Sequence, residues 1–145
     1  RSVIEESFGV HPIQPEVKDN VLARDDWGFF SNVAMHFIRH AGKDPRVIRL
    51  AIYRALEGSK LNDIIHTRDK ESPGLYKILC DYIQTRIEEG AFKQVDPQVV
   101  GNLFLETLLM HVINKELKFW GSLSLINDEA TVENLVHTFL FGLKG

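Results

Sequence analysis

Apolar residues recur along this chain at three- and four-residue spacing, the period of one face of an α-helix. From Asp25 to Ala41, the side chains of Phe29, Phe30, Val33, Ala34, Phe37, Ile38 and Ala41 fall on one side at about 100° per residue. Asp44 then offers an N-cap, and Pro45 occupies the first helical position, where a missing N–H costs nothing. The helix it opens carries Val47, Ile48, Ala51, Ile52, Ala55 and Leu56, and Gly58 can end it. Leu61, Ile64 and Ile65 predict a short helix, and Ser72-Pro73-Gly74 a break.

Leu75 to Glu89 is amphipathic again, with Leu75, Ile78, Leu79, Tyr82 and Ile83 on one stripe and Gly90 as terminator. Asp96-Pro97 repeats the cap-plus-proline start of a helix running to about Asn114. Lys115 to Asn127 reads as irregular, and Asp128 opens a last helix ending near Gly142. Gly9 to Lys18, with Pro12 and Pro15, is the least regular stretch and joins a short leading helix to the body. No stretch alternates with period two, so the expected fold is all-α, a helical bundle forming a single domain over 1–145.

Two helices differ in what they demand of their surroundings. On the helix after Pro97, Val99, Val100, Leu103, Phe104, Leu105, Leu108, Leu109, Met110, Val112 and Ile113 surround the axis almost completely. A helix apolar all round needs cover on every side. The last helix instead shows one stripe: Val132, Leu135, Val136, Phe139, Leu140 and Leu143. The pair suits a four-helix interface between two copies, two helices from each. Its expected contacts are Val99, Leu103, Met110, Ile113, Val132, Leu135, Val136, Phe139, Leu140 and Leu143. The competing reading places both helices in the core of a monomer.

Length and charge narrow the picture. The 145 residues suffice for one cored domain, and the net charge of −3 supplies no basic face for gripping nucleic acid. Cys80 is the only cysteine, so no internal disulfide forms and no zinc spacing exists; a reducing, cytoplasmic setting is expected. No apolar run approaches the roughly 18 residues that span a bilayer, and no membrane partner is expected. The chain opens at Arg1 inside what reads as a helix, and removal of an N-terminal portion is expected.

The order Asp44-Pro45-Arg46 with Leu50 and Arg54, Glu88-Glu89-Gly90-Ala91-Phe92, Asp96-Pro97 and Phe139-Leu140-Phe141-Gly142-Leu143 resembles the C-terminal domain of TetR-family transcriptional regulators. The resemblance covers about residues 25–143. It implies a homodimer built on helices within 97–143, and a pocket for a small apolar or amphipathic effector among the helices of 25–90. Residues 1–18 would be a remnant of the connecting segment. Members of that family begin with a helix-turn-helix domain, which has no counterpart here, so DNA would be reached only through that missing part. The implied role is effector sensing by a repressor, not catalysis.

Candidate pocket residues follow from the apolar stripes and the polar groups beside them: Phe29, Val33, His36, Phe37, His40, Leu79, Tyr82, Arg86, Phe104, Leu108 and His111. Trp27, Phe29, Phe30 and Phe37 form an aromatic cluster that reads either as a pocket wall or as plain core. His36 and His40, four apart, and His111 read either as ligand contacts or as satisfied histidines; without a third ligand no metal is assigned, and no cofactor is expected. Arg86 reads either as a receptor for a ligand carboxylate or as a cation suited to the end of its helix. Cys80 lacks a basic neighbour and reads as inert. Two alternatives stay open beside the regulator: a helical adaptor that docks a protein through the apolar helix, and a small metal-dependent enzyme using His36, His40 or His111.

Overall fold

The period-3.6 pattern is realised in the computed structural model, which describes residues 15–58, 74–117 and 127–145. Six helices make up the described chain, and no strand occurs among the described residues. They are α1 (Pro15–Ala23), α2 (Asp26–Ala41), α3 (Pro45–Leu56), α4 (Leu75–Glu88), α5 (Pro97–Leu117) and α6 (Asp128–Lys144). The architecture is an all-α bundle. The short helix expected around Leu61, Ile64 and Ile65, the short leading helix and most of the irregular stretch before Asn127 lie outside the described residues.

The helix starts have the expected chemistry. Asp44 accepts from the Arg46 backbone N–H at 3.1 Å, with Pro45 first in α3. Asp96 accepts from the Gln98 N–H at 2.9 Å ahead of Pro97. Asn127 caps α6 through the Ala130 N–H at 2.7 Å. Each such cap satisfies an N–H that the first helical turn leaves without a partner.

Three boundaries differ from the sequence reading. Residues 15–18, expected to be irregular, open α1. Pro15 is tolerated at a helix start, and Val17 and Val21, one turn apart, are both buried. Two apolar residues make a weak periodic signal; packing on α2 supplies the rest. Helix α5 continues three residues beyond Asn114, and α6 two beyond Gly142. Charged residues in those last turns find partners, Lys115 and Lys144 on acids of other helices and Glu116 on Arg49.

Helix α2 lies at the centre, packed against α1, α5 and α6 and touching α4, while α4 packs on α5. Helices α2 and α6 run antiparallel: Lys144 in the last turn of α6 reaches Asp26 in the first turn of α2 at 3.4 Å. The core is aromatic where these helices meet. Phe30 of α2 meets Phe104 of α5 edge to face at 5.3 Å between centroids, and Phe104 meets Phe139 of α6 at 5.0 Å.

Gly101 lets α4 and α5 approach closely. A Cβ there would lie 2.8 Å from the Cys80 sulfur, with Tyr76 and Leu79 just beyond. Gly101→Leu should therefore cost about 1–3 kcal/mol through overpacking, read as a lowered urea midpoint. Adding Cys80→Ala to Gly101→Leu should recover part of that loss; an equal loss in the double variant would mean that this contact does not set the helix spacing.

Candidate functional site

Two polar assemblies and one cleft stand out from the apolar interior. The first assembly centres on Asp26, which is 5% exposed. Arg86 grips it with two prongs, Nε to Oδ1 at 2.9 Å and Nη2 to Oδ2 at 3.1 Å. The Tyr82 hydroxyl donates to Oδ1 at 2.5 Å. Arg86 also donates to Glu89 at 2.9 Å, which Arg24 holds in turn at 3.0 Å. The group ties α1, α2, α4 and α6 together. Burial alone would raise the Asp26 carboxyl, but hydrogen bonds from Arg86 and Tyr82 and the charges of Arg86 and Lys144 hold it below the usual carboxylate range. Burial, followed by the Asp26 contact, pushes the Tyr82 phenol far up, so it stays a neutral donor.

The second assembly joins α5 to α6. His111 Nε2 and Lys115 Nζ each lie 2.9 Å from Asp128 Oδ1, and His111 Nδ1 is 3.5 Å from the Thr131 hydroxyl. Burial would raise the Asp128 carboxyl, yet Lys115 and His111 hold it low.

The cleft, about 290 Å³, lies between α2, α3, α5 and α6. Ile38, Arg39, Gly42, Pro45, Ile48, Val112, Lys115, Glu116 and Asp128 line it. These residues come from four helices and the α2–α3 turn and show no common pattern in sequence.

None of the eleven expected pocket residues lines this cleft. Phe29, Val33, Leu79, Tyr82, Phe104 and Leu108 are fully buried and interlocked, with Phe29 stacked on Tyr82 at 3.9 Å between centroids. Phe37 packs half-buried against the same core. Arg86 spends its donors on Asp26 and Glu89 and lies 5.8 Å over the Phe92 ring. The rings of His36 and His40 are 4.3 Å apart, while His111 sits apart from them with Asp128. No group of three or more His, Cys, Asp or Glu able to hold a metal occurs among the described residues. Trp27 is exposed, its ring 6.5 Å from that of His137. Cys80 is half-buried, and burial pushes its thiol pKa up, which disfavours a reactive thiolate.

The expected interface residues divide into two sets. Val132, Val136, Leu140 and Leu143 of α6 and Ile113 of α5 are buried in the chain's own core, with Leu135 and Phe139 packed against it. Val99, Leu103 and Met110 of α5 remain 53%, 52% and 48% exposed. They fall within about 40° of one another on the helix circumference. The outward side of α6 carries Glu133, Asn134, His137 and Thr138, with Phe141 77% exposed among them.

Asp26 escaped the sequence reading. It lies three and four residues before Phe29 and Phe30, on the apolar side of α2, and an acid on an apolar face was the available signal. Its partners, Tyr82 and Arg86, stand four apart on α4, and both turn to the same carboxylate.

Comparison with known proteins yields no match: no family model fits the chain, and no curated protein or solved structure is significantly similar to it. No described helix is long and apolar enough to cross a membrane.

Proposed function

We propose that this chain is the effector-binding and homodimerisation domain of a TetR-type transcriptional regulator, a repressor acting in the cytoplasm without catalysis of its own. The order of motifs from Asp44 to Leu143 supports the family, and the all-α bundle is compatible with it. The observation that carries the reading is the outward stripe of α5. Val99, Leu103 and Met110 stay half-exposed on α5, with Glu106 and Thr107 exposed at the edges of the same face. Exposed apolar stripes of this kind are surfaces for association. A second copy offering the same stripe covers it by an isologous contact.

In regulators of this type a helix-turn-helix domain contacts the operator, and the net charge of −3 argues against that task for this chain. Effector binding that favours one arrangement of the two subunits shifts their relative orientation, and with it the spacing of the DNA-reading heads. Such a shift requires only that the effector bind the two arrangements with different affinity.

The test is solution mass. Sedimentation equilibrium should return twice the 16.6 kDa chain mass for the unmodified protein. Leu103→Glu with Met110→Glu should weaken the dimer by on the order of 100-fold or more, with the helical circular dichroism signal unchanged. Leu135 and Phe139 are poor sites for this test, because both pack against the chain's own core. A monomer at every concentration would overturn the dimer and favour an adaptor whose stripe receives a different protein.

A further inference from the structure

The lining of the cleft is chemically uneven, and the unevenness points to a ligand class. Its floor is apolar, formed by Ile38, Ile48 and Val112, which belong to the edge of the core. Its rim holds two carboxylates, and both are already neutralised. Glu116 is paired with Arg49 at 2.6 Å, and Asp128 with Lys115 and His111 at 2.9 Å each. Arg39, the remaining charged residue of the lining, is exposed and makes no ion pair among the described residues. Counting Arg49, three cations therefore face two carboxylates around this opening, and the uncommitted one presents a planar fork of donors.

We propose that this cleft binds a small amphipathic carboxylate, its apolar body on Ile38, Ile48 and Val112 and its anionic head on Arg39. The volume of about 290 Å³ stands at the lower end of small-molecule pockets, so the body is short. A cationic ligand would need Glu116 or Asp128 to give up its present partner, whereas an anion needs no exchange at Arg39. Gly42 and Pro45, where α2 turns into α3, complete the wall, so an occupant touches the α2–α3 corner and the α5–α6 contact at once. The assignment rests on the effector-sensing reading of this domain and gives that reading a site other than the aromatic core.

Calorimetric titration of the whole chain with octanoate, and with octylammonium as the oppositely charged control, tests it. Octanoate should bind once per chain, and octylammonium at least tenfold more weakly. Arg39→Gln should weaken octanoate on the order of tenfold, and Arg39→Glu should abolish measurable binding. Both are surface changes that leave the core intact. The methyl NMR signals of Ile38, Ile48 and Val112 should shift on titration. Absence of octanoate binding, equal binding of octylammonium, undiminished binding by the Arg39 variants, or shifts confined to other methyl groups would each overturn the proposal. Sedimentation in the same buffer separates the two readings. A monomer that binds octanoate through Arg39 keeps the cleft and loses the regulator, and a dimer that ignores octanoate does the reverse.

Discussion

Asp26→Ala is expected to lower the unfolding free energy by about 3–5 kcal/mol, measured by urea denaturation at neutral pH. The substitution removes the acceptor at the centre of a nearly dry cluster. Arg86, whose side chain is only 15% exposed, keeps Glu89 but loses its two-pronged partner. The buried Tyr82 hydroxyl loses its acceptor as well. The cost comes mostly from what is left without a partner, because a buried charge or donor stripped of its mate retains its desolvation penalty. Replacing the pair together, Asp26→Leu with Arg86→Met, should therefore cost less than Asp26→Ala alone. A larger loss in the double variant would mean that the pair adds net stability and is not merely self-compensating.

The same cluster fixes the direction of the pH dependence. The Asp26 carboxyl has a lower pKa in the folded chain than in the unfolded one, as do those of Glu89 and Asp128. A group depressed on folding contributes stability above its unfolded pKa and loses it as pH falls through the folded value. Stability should thus be level from about pH 5 to about pH 8 and decline through the carboxylate range and below it. Asp26→Ala should flatten part of that acid limb. An unchanged acid limb in the variant would show that Asp26 does not dominate the titration.

Phe104→Ala is the second large effect, with an expected loss of about 3–5 kcal/mol. Phe104 is fully buried between Phe30 and Phe139, so truncation opens a void bordered by three helices. This variant also separates the two sequence readings of the aromatic cluster. A side chain that merely lined a ligand cavity would already face space, and its removal would cost little stability. A loss of less than about 1 kcal/mol would restore Phe104 to a pocket wall; the full loss makes it core.

Much of the fold was legible because its signals are local. The spacing of Phe29, Phe30, Val33 and Ala34 shows a helix and its buried side, and Asp44-Pro45 and Asp96-Pro97 show where helices begin. These features depend on 3.6-residue geometry and on hydrogen bonds within one turn. The polar clusters were less legible. Arg86 was singled out, but its partner Asp26 lies 60 positions away, and nothing within either segment specifies the pairing. The cleft was invisible for the same reason: Ile38, Ile48 and Val112 are ordinary apolar residues until four helices bring them to one opening.

From the chain alone came five of the six described helices, most of their ends, the all-α class and the excess of apolar surface on the helix after Pro97. Tertiary packing decided which of that surface is spent inside. The stripe of Val132, Val136, Leu140 and Leu143, read as half of an interface, is taken up by the chain's own α2 and its neighbours, while Val99, Leu103 and Met110 are left facing outward. A helical wheel gives directions about one axis, but burial depends on where the other axes lie, and those positions are set by the packing of the described helices together.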